Sequence, residues 1–257
     1  MSPTRIEVLF TPAEQAALKD RDLSETVCVV FDVLRATSTM AEALANGAEA
    51  IVPVREVAEA VELKREHPGW LLAGERDGLR ISAAVSGGTE FDLGNSPREF
   101  TRDIVEGKTI VMTTTNGTGA LKACAGARRV LIGSFLNYGA VVDELINTEP
   151  NHILLVCAGT GAECAIEDTV CAGAMAVEME SGLHEPVMTD SALLAGSLYD
   201  SGLARTWRGR FSLGDGANGR RLLSVGSLAH DVAYCANLSA HDVVGGMEPD
   251  GAIRIVE

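Results

Sequence analysis

Positive charge is scarce in this sequence, with 21 Lys and Arg against 36 Asp and Glu and a formal net charge of -15. A surface of that sign does not neutralise phosphate backbones or anionic headgroups, so no nucleic acid and no membrane is expected as a partner. Long apolar runs are missing as well. Stretches such as Val27 to Phe31 fall far short of the roughly 20 residues that a membrane-spanning helix requires. Met1 to Phe10 carries Arg5 and Glu7 among its apolar residues, so it has no signal-peptide core. Together these absences predict a cytoplasmic protein. No C-x-x-C pair occurs among the six cysteines, and the seven-residue steps between Cys157, Cys164 and Cys171 are wider than zinc ligands prefer. Most of the cysteines stand among Val, Ala, Leu and Gly, the setting of small buried thiols.

Several catalytic signatures are absent too. There is no G-x-x-x-x-G-K-[ST] loop for a nucleotide triphosphate and no G-x-S-x-G elbow for an acyl-transfer serine. Arg35 follows Cys28 one residue too late for a thiolate phosphatase loop, and Arg128 and Arg129 follow Cys124 too closely. Asp32 has no Asp two places on, which removes the double-aspartate phosphatases.

What is present is 257 residues, 46% hydrophobic and 22% charged, enough to bury a core without staples. Short β-branched runs alternate with Ala-rich stretches of helical length, which predicts an α/β protein with a layered sheet and helices on both faces. Expected strands are Arg5 to Phe10, Thr26 to Phe31, Ala50 to Pro53, Trp70 to Ala73, Thr109 to Met112, Arg129 to Ile132 and Ile153 to Val156. Helices are expected from near Ser38, Val57, Gly117, Tyr138, Glu167, Asp190 and Gly219. A shift of 79 residues lays Val30 to Val52 over Thr109 to Leu131, with Thr39, Ala41, Gly47 and Ala48 falling on Thr118, Ala120, Gly126 and Ala127. This predicts a duplicated strand-loop-helix unit with loops converging at the strands' carboxyl ends, or two ordinary units that share small residues. The domain reading is one unit over 1–257, with two similar lobes at about 1–105 and 106–257.

Chemistry should lie in the loops. In Phe31 to Thr39 a buried strand ends on Asp32, followed by Arg35 and the hydroxyls of Thr37, Ser38 and Thr39 at a helix start. Backbone N–H groups, hydroxyls and a guanidinium there make an anion cradle, and Asp32 is placed to hold a cation. The alternative is a helix cap with Arg35 paired to Asp32. The second copy offers Thr113, Thr114, Thr115, Asn116, Gly117 and Thr118, uncharged groups that would bind oxygen atoms or form a turn. Gly74 to Gly78 adds Glu75 and Arg76, and the turn from Asp92 to Pro97 presents Asn95 and Ser96. Arg205, Arg208 and Arg210 read as solvated charges, and His230 and Asp231, in an expected helix over Leu222 to Asn237, carry no assigned role.

The blocks FDVLRATST, GERDG, FDLGNSP, MTTTNGT, and CAGT leading to IEDTVCAGA, in that order between Val27 and Gly173, resemble the signatures of the 2-phosphosulfolactate phosphatase family. The resemblance implies Mg2+-dependent hydrolysis of 2-phospho-3-sulfolactate to 3-sulfolactate and phosphate, a step of coenzyme M biosynthesis. One block departs from the family pattern: Gly161 to Ala165 reads GAECA where a Gly followed by a cation and an aromatic is expected. On this reading Arg35 and Arg76 meet the phosphate or sulfonate. Asp32 and Glu75 hold Mg2+, with Glu167 or Asp168 completing or orienting the shell. A phosphatase of another small phosphorylated hydroxy acid keeps every role but the substrate contacts, whereas a non-catalytic anion-binding protein has no use for these carboxylates. Ala-rich helices with few aromatics also suit a homodimer.

Overall fold

The structure is a computed structural model that describes residues 3–200 and 213–256; the Arg205, Arg208 and Arg210 group lies outside them. Its strands are β1 (Arg5–Leu9), β2 (Thr26–Phe31), β3 (Ala50–Pro53), β4 (Leu71–Arg76), β5 (Leu79–Arg80), β6 (Thr109–Thr113), β7 (Arg129–Gly133), β8 (His152–Cys157), β9 (Val187–Met188), β10 (Gly245–Met247) and β11 (Ile253–Ile255). They form one sheet in the order β5-β4-β6-β3-β11-β10-β7-β2-β8-β1-β9. Two blocks within it are parallel, β4-β6-β3 and β7-β2-β8-β1-β9. The hairpin β10-β11 joins the blocks by pairing antiparallel with β7 on one side and β3 on the other.

The strand β2 shows why the layers form. Every residue of Thr26–Phe31 is buried, and alternate side chains of a strand leave by opposite faces. Cys28 and Val30 enter a core with Met40, Leu44 and Leu121, whereas Val27, Val29 and Phe31 pack with Val141, Met175 and Met179. The sheet is therefore covered by helices on both faces, the layered α/β arrangement expected from the sequence. A third cluster gathers Leu72, Phe91 and Val111 near the β4 edge.

Helices Ala36–Ala45, Val57–Glu66, Gly117–Ala123, Tyr138–Thr148, Ile166–Gly182, Asp190–Leu198 and Ala217–Ser224 begin within two residues of the expected positions. The segments related by the 79-residue shift share one element order, β2-helix-β3 and β6-helix-β7. Each starts in one parallel block and ends in the other, so that β2 pairs with β7 and β3 with β6. No helix among the described residues is long and apolar enough to cross a membrane. Five of the six cysteines are buried and Cys164 is exposed.

Helix Ile166–Gly182, which opens with two candidate carboxylates, is seated by one close approach. A Cβ on Gly173 would lie 2.1 Å from the carbonyl oxygen of Ala195 in helix Asp190–Leu198. Gly173→Ala must push the helices apart, at an expected cost of about 1–3 kcal/mol. The measurement is a urea melt, with a lower midpoint at unchanged slope.

Candidate active site

The loop after β2 closes on itself. The Asp32 carbonyl accepts from Thr37 N at 3.0 Å, its own N–H donates to Thr37 Oγ1 at 3.0 Å, and Oδ1 accepts from Ala36 N at 3.2 Å. A carboxylate thus sits where a helix N-terminus favours it. Ser38 Oγ donates to Val33 O at 2.8 Å, and Thr39 Oγ1 donates to Asn95 O at 3.0 Å. All three hydroxyls are buried and bonded inside the protein, so one of their jobs is to hold this loop against the Asn95 turn.

The second loop reaches the same point. A Cβ on Gly117 would stand 2.7 Å from Asp32 Oδ2 and 2.7 Å from Ala36 Cβ, so only glycine lets helix Gly117–Ala123 start against that carboxylate. Before it, Thr113 Oγ1 donates to Arg55 O at 3.0 Å, and Thr114 Oγ1 accepts from Thr118 N at 3.3 Å. Thr118 Oγ1 returns a bond to Thr114 O at 3.2 Å. Asn116 stands at the N-cap without a side-chain bond to the helix. Glu75, at the end of β4, ties the loops together: Oε1 accepts from Thr115 N at 2.9 Å and Thr115 Oγ1 at 2.8 Å, while Oε2 accepts from Gly78 N at 2.7 Å.

The first turn of helix Ile166–Gly182 supplies Glu167 and Asp168. Asp168 accepts from Val33 N at 2.8 Å and Gly159 N at 3.2 Å, bridging the loops after β2 and β8. Glu167 Oε1 accepts from Asn218 Nδ2 at 2.7 Å, and Asn218 also donates to Thr160 Oγ1 at 2.6 Å. Glu167 Oε2 is buried with no hydrogen-bond partner among the described residues.

Negative charge is crowded here. Burial, followed by the charges of Glu75 and Glu167, pushes Asp32 up to about 6. Burial, with Glu167 and Asp32 adding to it, holds Asp168 well above the usual carboxylate range. Glu167 is raised by burial, although Asn218 and Arg221 pull the other way. Such a cluster of hard oxygen donors with one orphaned oxygen suits Mg2+. Among the described residues no group of three or more His, Cys, Asp and Glu side chains stands as a ready-made ligand set.

The two expected arginines line different clefts. Arg76 donates to Glu75 O at 2.7 Å and Thr113 Oγ1 at 3.0 Å and lines a cavity of about 790 Å³ that also presents Lys19, Arg55, Lys122, Thr115 and Thr118. Arg35 is buried and does not pair with Asp32; it donates to Asp231 Oδ2 at 2.7 Å and Gly78 O at 2.7 Å. It lines a second cleft of about 420 Å³ together with Asn95 and Ser96. Lys19, Arg55, Lys122, Asn218 and Asp231 were not singled out from the sequence as site residues. No local motif marks them, because each reaches the site only through tertiary contact.

The fold is a layered α/β sheet with carboxylates gathered and buried at the carboxyl ends of its strands, and the comparisons make the class specific. The family model described as 2-phosphosulpholactate phosphatase matches residues 13–249, and the chain belongs to that family of phosphoric monoester hydrolases. Its relatives include proteins named probable 2-phosphosulfolactate phosphatase. The one from Symbiobacterium thermophilum is 41% identical over 222 residues, covering 84% of this chain and 89% of the relative. That from Carboxydothermus hydrogenoformans is 37% identical over 250 residues, covering 97% and 94%, and that from Caldanaerobacter subterraneus subsp. tengcongensis 36% over 242, covering 93% and 94%.

Proposed function

We propose that this chain hydrolyses 2-phospho-3-sulfolactate to 3-sulfolactate and phosphate with Mg2+ as cofactor. The observation that carries the reading is the convergence of four loops on one carboxylate cluster: Gly117 packs on Asp32, Glu75 binds Thr115, and Asp168 binds Val33 and Gly159. Asp32 and Glu167, the latter with its Oε2 unpartnered among the described residues, would hold the metal, which would supply charge compensation for the transferring phosphoryl group. Glu75 and Asp168, with their oxygens committed to backbone N–H groups, fix the loops around it. Arg76 and the Thr114–Thr118 turn face the larger cleft with a guanidinium, N–H groups and hydroxyls, the donors that orient phosphoryl oxygens. The four cations of that cleft offset locally a chain whose net charge is -15.

Phosphate release from 2-phospho-3-sulfolactate, 2-phospholactate, phosphoglycolate and 2-phosphoglycerate, each with Mg2+ and with EDTA, tests the proposal. Turnover that needs Mg2+ and prefers the sulfonate is expected. A faster carboxylate substrate would keep the chemistry and change the substrate, and no turnover on any of them would leave an anion-binding protein.

A further inference from the structure

The first helix, Pro12–Ala16, forms one wall of the larger cleft with Pro12, Gln15 and Ala16. Its 5 residues are too few to hold a helix by themselves. It is fastened at its start instead: Glu14 Oε2 accepts from Phe10 N at 2.9 Å, Thr11 N at 2.9 Å and Thr11 Oγ1 at 2.8 Å. Thr11 Oγ1 accepts in return from Glu14 N at 3.4 Å, which completes a reciprocal cap. The buried residue of this helix is Gln15. Its amide nitrogen donates to Cys157 O at 2.7 Å and to Ala158 O at 3.0 Å. The pairing of β1 with β8 ends at Leu9 and Val156, so these carbonyls lie past the last β1 partner, and a side chain from far up the chain satisfies them.

The next residue of the loop gives that contact a consequence. Gly159 has φ +71°, and a Cβ there would lie 2.9 Å from Pro12 Cδ and 2.5 Å from Glu163 O, so the helix presses directly on the loop after β8. Gly159 N donates to Asp168 Oδ2 at 3.2 Å, and Asp168 Oδ1 accepts from Val33 N, next to Asp32, at 2.8 Å. Asp168 is thus the tie between the helix turn that carries Glu167 and the loop that carries Asp32. We infer that Gln15 is a positioning residue for the metal site: by holding the Cys157 and Ala158 carbonyls it keeps Gly159 N on Asp168, and Asp168 in turn sets Glu167 against Asp32. The inference rests on the reading of Asp32 and Glu167 as Mg2+ ligands. Mg2+ demands near-ideal placing of its ligands, and loss of a group that orients them costs about tenfold or more in metal affinity. A neutral amide suits the task, since it supplies two N–H groups to two carbonyls without adding charge to a cluster crowded with carboxylates.

Gln15→Met tests the assignment, because methionine keeps the length of the side chain and drops both bonds. The readouts are the calorimetric Mg2+ affinity without substrate, the Mg2+ concentration at half-maximal phosphate release, and a urea melt in EDTA. The Mg2+ Kd and the half-saturating Mg2+ should each rise about tenfold, and phosphate release should recover towards the wild-type rate at saturating Mg2+. A variant with a lower urea midpoint and wild-type Mg2+ affinity overturns the inference and makes Gln15 a fastening of the fold alone. Should Gln15→Met not fold, Glu14→Ala takes its place. It loosens the cap while leaving the buried amide present, and the same rise in Mg2+ Kd sustains the inference, whereas wild-type affinity overturns it. If the wild-type protein binds no Mg2+, the cofactor reading falls and the inference with it; Mg2+ binding that neither variant weakens fells the inference alone.

Discussion

Asp32→Asn is expected to lower phosphate release by about a thousandfold or more, the scale on which removing a metal-ligating or charge-stabilising group acts. It should do so without unfolding the protein. Asparagine keeps the volume beside Gly117 and an oxygen for Ala36 N, and gives up only the bond from Gly117 N to the second carboxylate oxygen, worth about 1 kcal/mol. Electrostatics point the same way. Burial, with Glu75 and Glu167 adding to it, raises the folded Asp32 to about 6 from 3.8. The folded state then holds a proton that the unfolded chain has released, so this group's contribution to stability falls as pH rises between those values. An amide cannot ionise, so the variant escapes that loss and should melt no lower than wild type at neutral pH. Phosphate release and a thermal melt on one preparation check both halves. Turnover near the wild-type rate would sink the assignment of Asp32, and inactivity joined to a collapsed melting temperature would recast the residue as structural.

The fold was legible where composition is dense and local. β2, β7 and β8 declare themselves through β-branched runs buried on both faces, and the helix starts follow from Ala-rich stretches, three of them after Asn116, Asn137 and Thr189. The hairpin β10-β11 is not among the expected strands, because β10 is Gly245-Gly246-Met247 and β11 the three residues Ile253–Ile255, each too short to carry a readable period. Yet it joins the two parallel blocks. The site divides along the same line. Asp32 and Thr115 stand in loops after recognisable strands and Glu75 at the end of another, so topology alone brings them near one another. Asp231 lies 196 residues from Arg35 and 135 from Ser96, and Asn218 lies 51 from Glu167. Pairings at such separations leave no spacing pattern. The three hydroxyls after Asp32 show the converse: the sequence reads as an anion cradle, whereas Ser38 and Thr39 bond to Val33 O and Asn95 O.

The same long-range pairing sets up the second large effect, Asp231→Ala. It leaves Arg35 buried with a charge and Gly78 O as the remaining bond recorded for its guanidinium, and breaking a buried pair from one side costs about 3–5 kcal/mol. In a chain of this size that is a melting temperature lower by on the order of 10 °C. Loss of stability and loss of activity would then arrive together, so the single variant cannot say which matters to the reaction. The pair Arg35→Met with Asp231→Leu separates them. Replacing both charges by apolar side chains of similar volume is often close to neutral, and the uncompensated losses are the Ser96 hydroxyl's acceptor and the Gly78 carbonyl's donor, each worth about 1 kcal/mol. Most of the melting temperature should therefore return. Phosphate release from the sulfonated substrate should not, because the guanidinium lining the cleft is gone whatever the stability. A double variant that recovers both would make Arg35 a strut between the loop after β2 and helix Ala229–Tyr234, with no part in holding the anion. A double variant that recovers stability alone shows that the buried carboxylate keeps a charged fork in the cleft, at a cost in stability that an apolar core would not incur.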